Sequence, residues 1–469
     1  MKKAIKLSVA AALVSSAMLQ AADVTIDGIR GGNLDLMFKG MTVIDDKENG
    51  YAPANGTGYL VKLKYETAEV FTDGLKVGVG MYINGDAGLT EWDEKVTELN
   101  KGAYGMVVDR EGKSKGLMGE LYLDYTNDYI HAKVGRQTIN TPLTVIKTSL
   151  MPNFYEAAML DFKPLDGLKV TAGHMTGMSF GSRAAADWGM IGERTGTAGV
   201  GTMLSNDPVN SQDASPNAQL IDQAEFYSMS EAAGFGGSDG RSVLGLTYTG
   251  VKNLQADFWV YHAANIANDF YTELKYKIPV AKGMAVKLSA QYLAQKDTGD
   301  SLAGERDFNM MGAKVALGTK KWGVFAAYNS SGSKDQDSTT EDGQYFNAWG
   351  ADPAYTSSIF SRNAYREDVD AFKIGARYTI MKGLKLMINY ADYSKSDTIA
   401  WSGTLDGSYG SKKVAAANDA YEIDTVLVYK PCKKWMFKLF NARRLSEYNE
   451  SQASESRQNH YRLIASYTF

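Results

Sequence analysis

Gly177-Met178-Ser179-Phe180-Gly181 has the Gly-X-Ser-X-Gly spacing that presents a nucleophilic serine on a sharp strand-to-helix turn, with His174 three residues before it. That chemistry needs a helix behind the serine and a triad partner. A long polar stretch follows here instead, so Ser179 reads as a strand end and the chain as no enzyme. His131, His174, His262 and His460 stand on separate segments with no metal-ligand spacing, which argues against zinc. Asp335, Asp337, Glu341 and Asp342 could gather calcium, but solvated loop acids have the same look. No metal or other cofactor is expected. The charges that matter alternate with apolar residues. Lys62, Lys64, Lys76, Lys133, Lys169, Lys275, Lys287, Lys314, Lys373, Arg377, Lys385, Lys438 and Arg462 all stand on the polar side of short alternating runs. So do the acids Glu66, Glu120, Asp124, Asp257, Glu273, Glu422 and Asp424.

Strands must carry this pattern, because only a period of two puts every second residue on one face. Eighteen such segments are legible: 34–43, 59–70, 75–84, 116–125, 129–137, 155–162, 168–178, 242–249 and 254–264, then 268–276, 284–295, 306–317, 323–331, 370–380, 384–393, 419–429, 435–447 and 457–469. Most approach the roughly 9–11 residues that a tilted strand needs to cross a bilayer. Tight turns rich in Gly, Pro, Asn and Asp alternate with long connections at about 179–241, 332–369 and 394–418. A phrase recurs at the tight turns: Asp73-Gly74-Leu75-Lys76, Asp166-Gly167-Leu168-Lys169 and Lys382-Gly383-Leu384-Lys385. All nine prolines fall outside these segments.

The last nine residues, Tyr461 to Phe469, put Tyr461, Leu463, Ala465, Tyr467 and Phe469 on one face and Arg462 on the other. An apolar edge left unpaired would invite aggregation, whereas a closed barrel in lipid has no edge. The fold class expected is therefore all-β: a transmembrane antiparallel barrel of about eighteen strands, with one loop folded into the lumen. Leu254, Ala256, Phe258 and Val260 form one lipid face; Leu384, Leu386, Ile388 and Tyr390 form another. Aromatics gather at the tight turns, among them Phe71, Tyr129, Phe162, Tyr276, Trp322, Tyr378 and Phe469, as an interface girdle requires. A charge facing lipid at mid-depth costs roughly 2–4 kcal/mol, so the charged faces need a watery interior. With more bases than acids on those faces, the lumen is expected to attract anions or carboxylate-bearing solutes.

Met1 to Ala21 reads as a secretory signal peptide, with Lys2, Lys3 and Lys6 ahead of a short apolar run and small residues at Ala21 and Ala22. The segment 22–469 is then a single barrel domain. The leader takes three lysines with it, so the basic count falls from 50 to 47 against 54 acids, and nothing suggests nucleic acid as a partner. The single cysteine, Cys432, excludes a disulfide framework.

Val134-Gly135-Arg136-Gln137 ends a strand, a non-periodic stretch with Pro142 and Pro152 follows, and Pro152-Asn153-Phe154-Tyr155 starts the next strand. In this order of strand end, Pro-bearing third loop and Pro-Xaa-Phe start, the chain resembles the OprD family of bacterial outer-membrane porins. The resemblance implies a monomeric or homotrimeric eighteen-stranded barrel among outer-membrane lipids and lipopolysaccharide. It also implies passive diffusion of small hydrophilic solutes past a ladder of basic wall residues. Arg136 and Gln137 match the motif and would stand at the mouth of the constriction, although strict alternation gives Arg136 lipid-facing parity. Lys373, Arg377, Lys385 and Lys438 are ladder candidates by position and facing, and Arg462 adds a charge near the seam. Lys147-Thr148-Ser149-Leu150-Met151-Pro152 departs from the acid and Arg that family members often carry there. A structural or adhesive barrel with binding loops is the alternative reading.

Overall fold

A computed structural model describes residues 31–48, 54–86, 114–145, 150–181, 225–233, 240–303, 305–332, 345–346, 349, 352–359, 361, 363–394, 399–401, 413–415, 419–447 and 455–469. The expected leader, the four loop acids from Asp335 to Asp342, and most of 179–241 and 394–418 lie outside these residues.

Eighteen strands make the wall. They are β1 (Gly32–Glu48), β2 (Ala54–Thr67), β3 (Leu75–Gly85), β4 (Lys115–Thr126), β5 (Ile130–Gln137) and β6 (Phe154–Leu165). Next come β7 (Leu168–Ser179), β8 (Arg241–Tyr248), β9 (Leu254–Ala263), β10 (Ala267–Ala281), β11 (Met284–Asp297) and β12 (Asp307–Gly318). The last six are β13 (Trp322–Ser331), β14 (Asp370–Met381), β15 (Leu384–Tyr393), β16 (Asp419–Tyr429), β17 (Trp435–Glu447) and β18 (Glu455–Thr468). Each pairs antiparallel with its neighbour, and β1 closes on β18 from Met37 opposite Thr468 to Glu48 opposite Arg457. Closure is what removes the exposed edge. A two-residue strand, Tyr227–Ser228, leads into the four-residue helix α1 (Met229–Ala232) and pairs with the end of β7.

Alternation runs opposite to that of a soluble protein. Leu63, Leu123, Leu274, Ile374 and Leu439 are 44–52 % exposed on the outer surface, whereas Leu60, Leu293, Met310 and Phe440 on inward rows are fully covered. An outer surface of this kind is stable only where acyl chains replace water. At the tight turns Phe71, Tyr129, Phe162, Tyr276 and Tyr378 are exposed, the girdle position. The repeated turn phrase has a conformational cause: Gly74, Gly167 and Gly383 all adopt φ of 79–83°, which other residues enter at a cost.

Two prolines depart from the expectation that strands exclude them. Pro164 lies in β6 and Pro279 in β10, each where the ladder shifts register, so its missing N–H leaves no regular bond unmade. β10 consequently reaches Ala281, five residues past its expected end, while β2 runs over 54–67 rather than 59–70.

The lumen is filled from the long-loop end by more than the one loop expected. Residues 138–145 and 150–153 enter between β5 and β6, and residues 345–346, 349, 352–359, 361 and 363–369 enter between β13 and β14. Together they bury Leu143, Leu150, Met151, Phe346, Trp349 and Tyr365. Two apolar clusters result, one under β6–β16 and one beside the β1–β18 seam. These clusters are the core of the molecule, and they lie inside the barrel.

Candidate functional site

The wall from β1 to β7 is charge-paired. Asp35 takes Lys62, Glu120 takes Lys64, and Tyr82 donates its hydroxyl to Glu120 at 2.7 Å. Glu66 accepts the Tyr122 hydroxyl at 2.8 Å and stands 3.7 Å from Lys76. Asp124 holds Lys133 at 2.8 Å and His131 at 3.1 Å, and Asp161 lies 3.4 Å from Lys169 while accepting the Thr171 hydroxyl. A charge held away from bulk water needs such partners. Asp35 and Asp161 supply counter-charges missing from the sequence list of inward acids, although both alternate with apolar neighbours and were legible by parity. Across β2–β7 each expected lysine therefore carries its own carboxylate.

The wall from β11 to the seam is different. Lys287, Arg377 and Lys385 are exposed on inward rows of β11, β14 and β15. Lys314 lies 4.2 Å from the Phe325 ring centre and 5.8 Å from that of Tyr355, contacts in which a cation keeps its charge. Lys438, half-buried, sits 5.1 Å over Phe440. Arg462 is buried beside the same ring at 5.2 Å and donates from Nε to His460 Nε2 at 2.8 Å. Lys39 donates to the Leu150 carbonyl at 3.0 Å, tying the third loop to the seam.

The remaining candidates are committed to the wall or the loops. Arg136 keeps the register row of Leu121 and Glu156; its Nε donates to Glu156 at 2.9 Å and its guanidinium lies 4.2 Å over Phe226. Gln137 is buried, with Nε2 within 3.0–3.3 Å of the carbonyls of Lys133, Gly135 and Ala157. Gly135, at φ 119°, makes the distortion that lets this side chain fold back on its strand. Lys373 is buried and donates to the Ser357 carbonyl at 2.5 Å and Ser358 Oγ at 3.2 Å, with Asp424 at 3.9 Å. Arg377 donates to the Thr319 carbonyl at 2.7 Å near a tight turn.

Residues that sequence reasoning missed hold the inner loops. Arg241 bonds Asp269 at 2.5 Å and the Leu143 carbonyl at 3.2 Å, between the rings of Tyr261 and Trp349 at 4.5 and 4.4 Å. Gln295 donates to Asp269 at 2.7 Å and to the Phe346 carbonyl at 2.9 Å, and accepts from the Phe346 N–H at 2.7 Å. In the inner segment, burial pushes the Tyr345 and Tyr365 phenols well above their usual range, and the Tyr365 hydroxyl donates to Asp352 at 2.9 Å. Ser179 ends β7 fully buried, its Oγ accepting the Gly181 N–H at 3.3 Å, so the serine motif is spent on a turn.

A closed barrel with an apolar outside, a charged inside and loops narrowing the lumen is the architecture of an outer-membrane porin, a channel for small solutes. Residues 209–469 match the family described as outer membrane porin, OprD family, and the chain belongs to that family. No curated protein sequence matches it. Three solved Pseudomonas aeruginosa structures are similar over 93 % of this chain. OpdK with vanillate has a TM-score of 0.66 at 14 % identity over 98 % of its own chain. OccK9 (OpdG) has 0.67 at 14 % over 99 %, and OpdQ has 0.63 at 15 % over 97 %. At such identity the likeness is one of fold. The barrel class, the eighteen strands and the outer-membrane location expected from sequence all stand.

Proposed function

We propose that this porin favours anionic and carboxylate-bearing solutes, and that it works as a passive channel without catalysis. The observation that carries the reading is the asymmetry of the lumen. Lysines on β2–β7 are neutralised by carboxylates, while Lys287, Arg377 and Lys385 remain exposed on inward rows and Lys438 is half-exposed. A positive arc facing a neutral wall concentrates anions on one side of the passage. In this reading Arg377, Lys385 and Lys438 meet the solute. Arg136 and Gln137 shape the mouth of the constriction, and Lys373 and Arg462 act from beneath the surface. The vanillate held by OpdK is an aromatic carboxylate, which such an arc would suit. The apolar outer surface supports contact with outer-membrane lipids, including lipopolysaccharide, and a monomer or homotrimer is readable by native mass spectrometry.

Reversal potential in a salt gradient across a planar bilayer is the test. The parent protein is expected to pass anions preferentially at low salt, and Lys385→Glu with Lys438→Glu to move the potential toward cations. Clear cation preference in the parent sinks the reading.

A further inference from the structure

Glu422 and Asp424 stand two residues apart on the inward row of β16, and both are 2 % exposed or less. They are covered by residues 356–359, 361 and 363, a segment that lies across the strands inside the barrel. Five consecutive strands bind it. Asn329 on β13 accepts the Thr356 N–H at 3.0 Å and hydroxyl at 2.9 Å. Lys373 on β14 holds Ser357 and Ser358, and Tyr393 on β15 donates to the Thr356 carbonyl at 2.6 Å. On β16, Asp424 accepts the Ile359 N–H at 3.3 Å and Glu422 the Ser361 N–H at 2.6 Å. Arg444 on β17 reaches Asn363 Oδ1 at 3.3 Å. Lys373, 3.9 Å from Asp424, and Arg444, opposite Glu422 in the ladder, are cations that face the two acids, while the Tyr393 phenol faces the segment.

This arrangement does more than narrow the lumen. Backbone N–H groups donate to Glu422 Oε2 and Asp424 Oδ2, Lys373 stands 3.9 Å from the same Asp424 oxygen, and the segment keeps both carboxylates from water. The neighbouring cations Lys385 and Lys438 lie on rows that remain partly exposed. A solute passing this wall meets the cations without the acids.

We propose that residues 356–359, 361 and 363 form an electrostatic screen, and that Asn329 and Tyr393 determine ion selectivity by positioning it over Glu422 and Asp424. The proposal rests on the reading of the lumen as an anion-favouring pore. It makes an unusual demand: substitutions that change no charge must change charge selectivity. Loosening the segment uncovers two carboxylates beside the basic arc, so the field inside the lumen becomes more negative.

The test uses the full chain in planar bilayers at low salt, with Asn329→Ala, Tyr393→Phe and the milder Thr356→Val. Each neutral variant is expected to lower the anion-to-cation permeability ratio, by about twofold or more for the first two. In a Glu422→Gln, Asp424→Asn background the same substitutions should leave the ratio where that background sets it. Heat-modifiable migration on gels shows which variants are folded, and Thr356→Val serves where the others fail to insert. Folded variants whose reversal potential matches the parent overturn the proposal, whatever happens to conductance. A shift that persists in the carboxamide background also overturns it. The sign of the parent's own potential judges the anion-favouring reading; the difference between parent and neutral variant judges the screen.

Discussion

Arg241 and Asp269 meet at 2.5 Å inside the barrel, their side chains 2 % and 0 % exposed, and this pair ties two separate lumen loops to one place on the wall. Through its other contacts Arg241 holds the third loop at Leu143, while Gln295 on the same carboxylate holds Phe346. Removing one partner of a buried, hydrogen-bonded ion pair strands the other charge, at about 3–5 kcal/mol. Asp269→Ala should therefore lower urea stability by that order and raise single-channel conductance. Unchanged conductance would show that the pair holds no lumen element.

The charge-paired wall makes a second prediction. Glu120→Gln removes the partner of Lys64 and weakens the hydrogen bond from Tyr82. The cost should be about 1–3 kcal/mol, and anion preference should rise because a masked lysine becomes effective. Reversal potentials before and after the substitution read this directly.

Salt supplies a third. Screening shortens from about 10 Å at 0.1 M to about 3 Å at 1 M. Selectivity that comes from the field of Lys385 and Lys438 must shrink over that range, while selectivity by size alone would stay constant. A permeability ratio that does not respond to salt would remove the charged arc from the mechanism.

Alkaline pH should act on the inner segment. Folding raises the phenols of Tyr345 and Tyr365 above their ordinary value of 10.0, chiefly by burial. The folded form keeps protons that an open segment releases above that pH. Their contribution is thus fully present below pH 10 and falls as pH rises further. Conductance should increase together with tyrosinate absorbance. Phe at both positions should shift the transition upward or abolish it.

The seam makes a fifth prediction. Phe469 packs against Phe38 and Tyr467 at ring distances of 5.8 and 4.7 Å, and its N–H donates to the Leu36 carbonyl at 3.0 Å. Phe469→Ala removes both ring contacts, each worth about 0.5–1.5 kcal/mol, and should slow the appearance of heat-modifiable protein.

Sequence alone determined the strand number, the inside–outside parity and the tight turns, because period two and turn chemistry are local properties. Leu384, Leu386, Ile388 and Tyr390 declare their face within one segment, and Phe469 ends the last strand on the outward row. The tertiary structure decided what each inward charge does. Lys64 and Lys385 look alike in sequence; one meets Glu120 from the strand two away, and the other stays exposed. Residues 356–359, 361 and 363 follow no period, and their place inside the lumen comes from side chains on five strands. Arg241 and Asp269 gave no sign of meeting, since their 28-residue separation becomes contact only when the wall curves. Pairing between strands and the seating of loops are long-range events, set by which inward rows closure brings together.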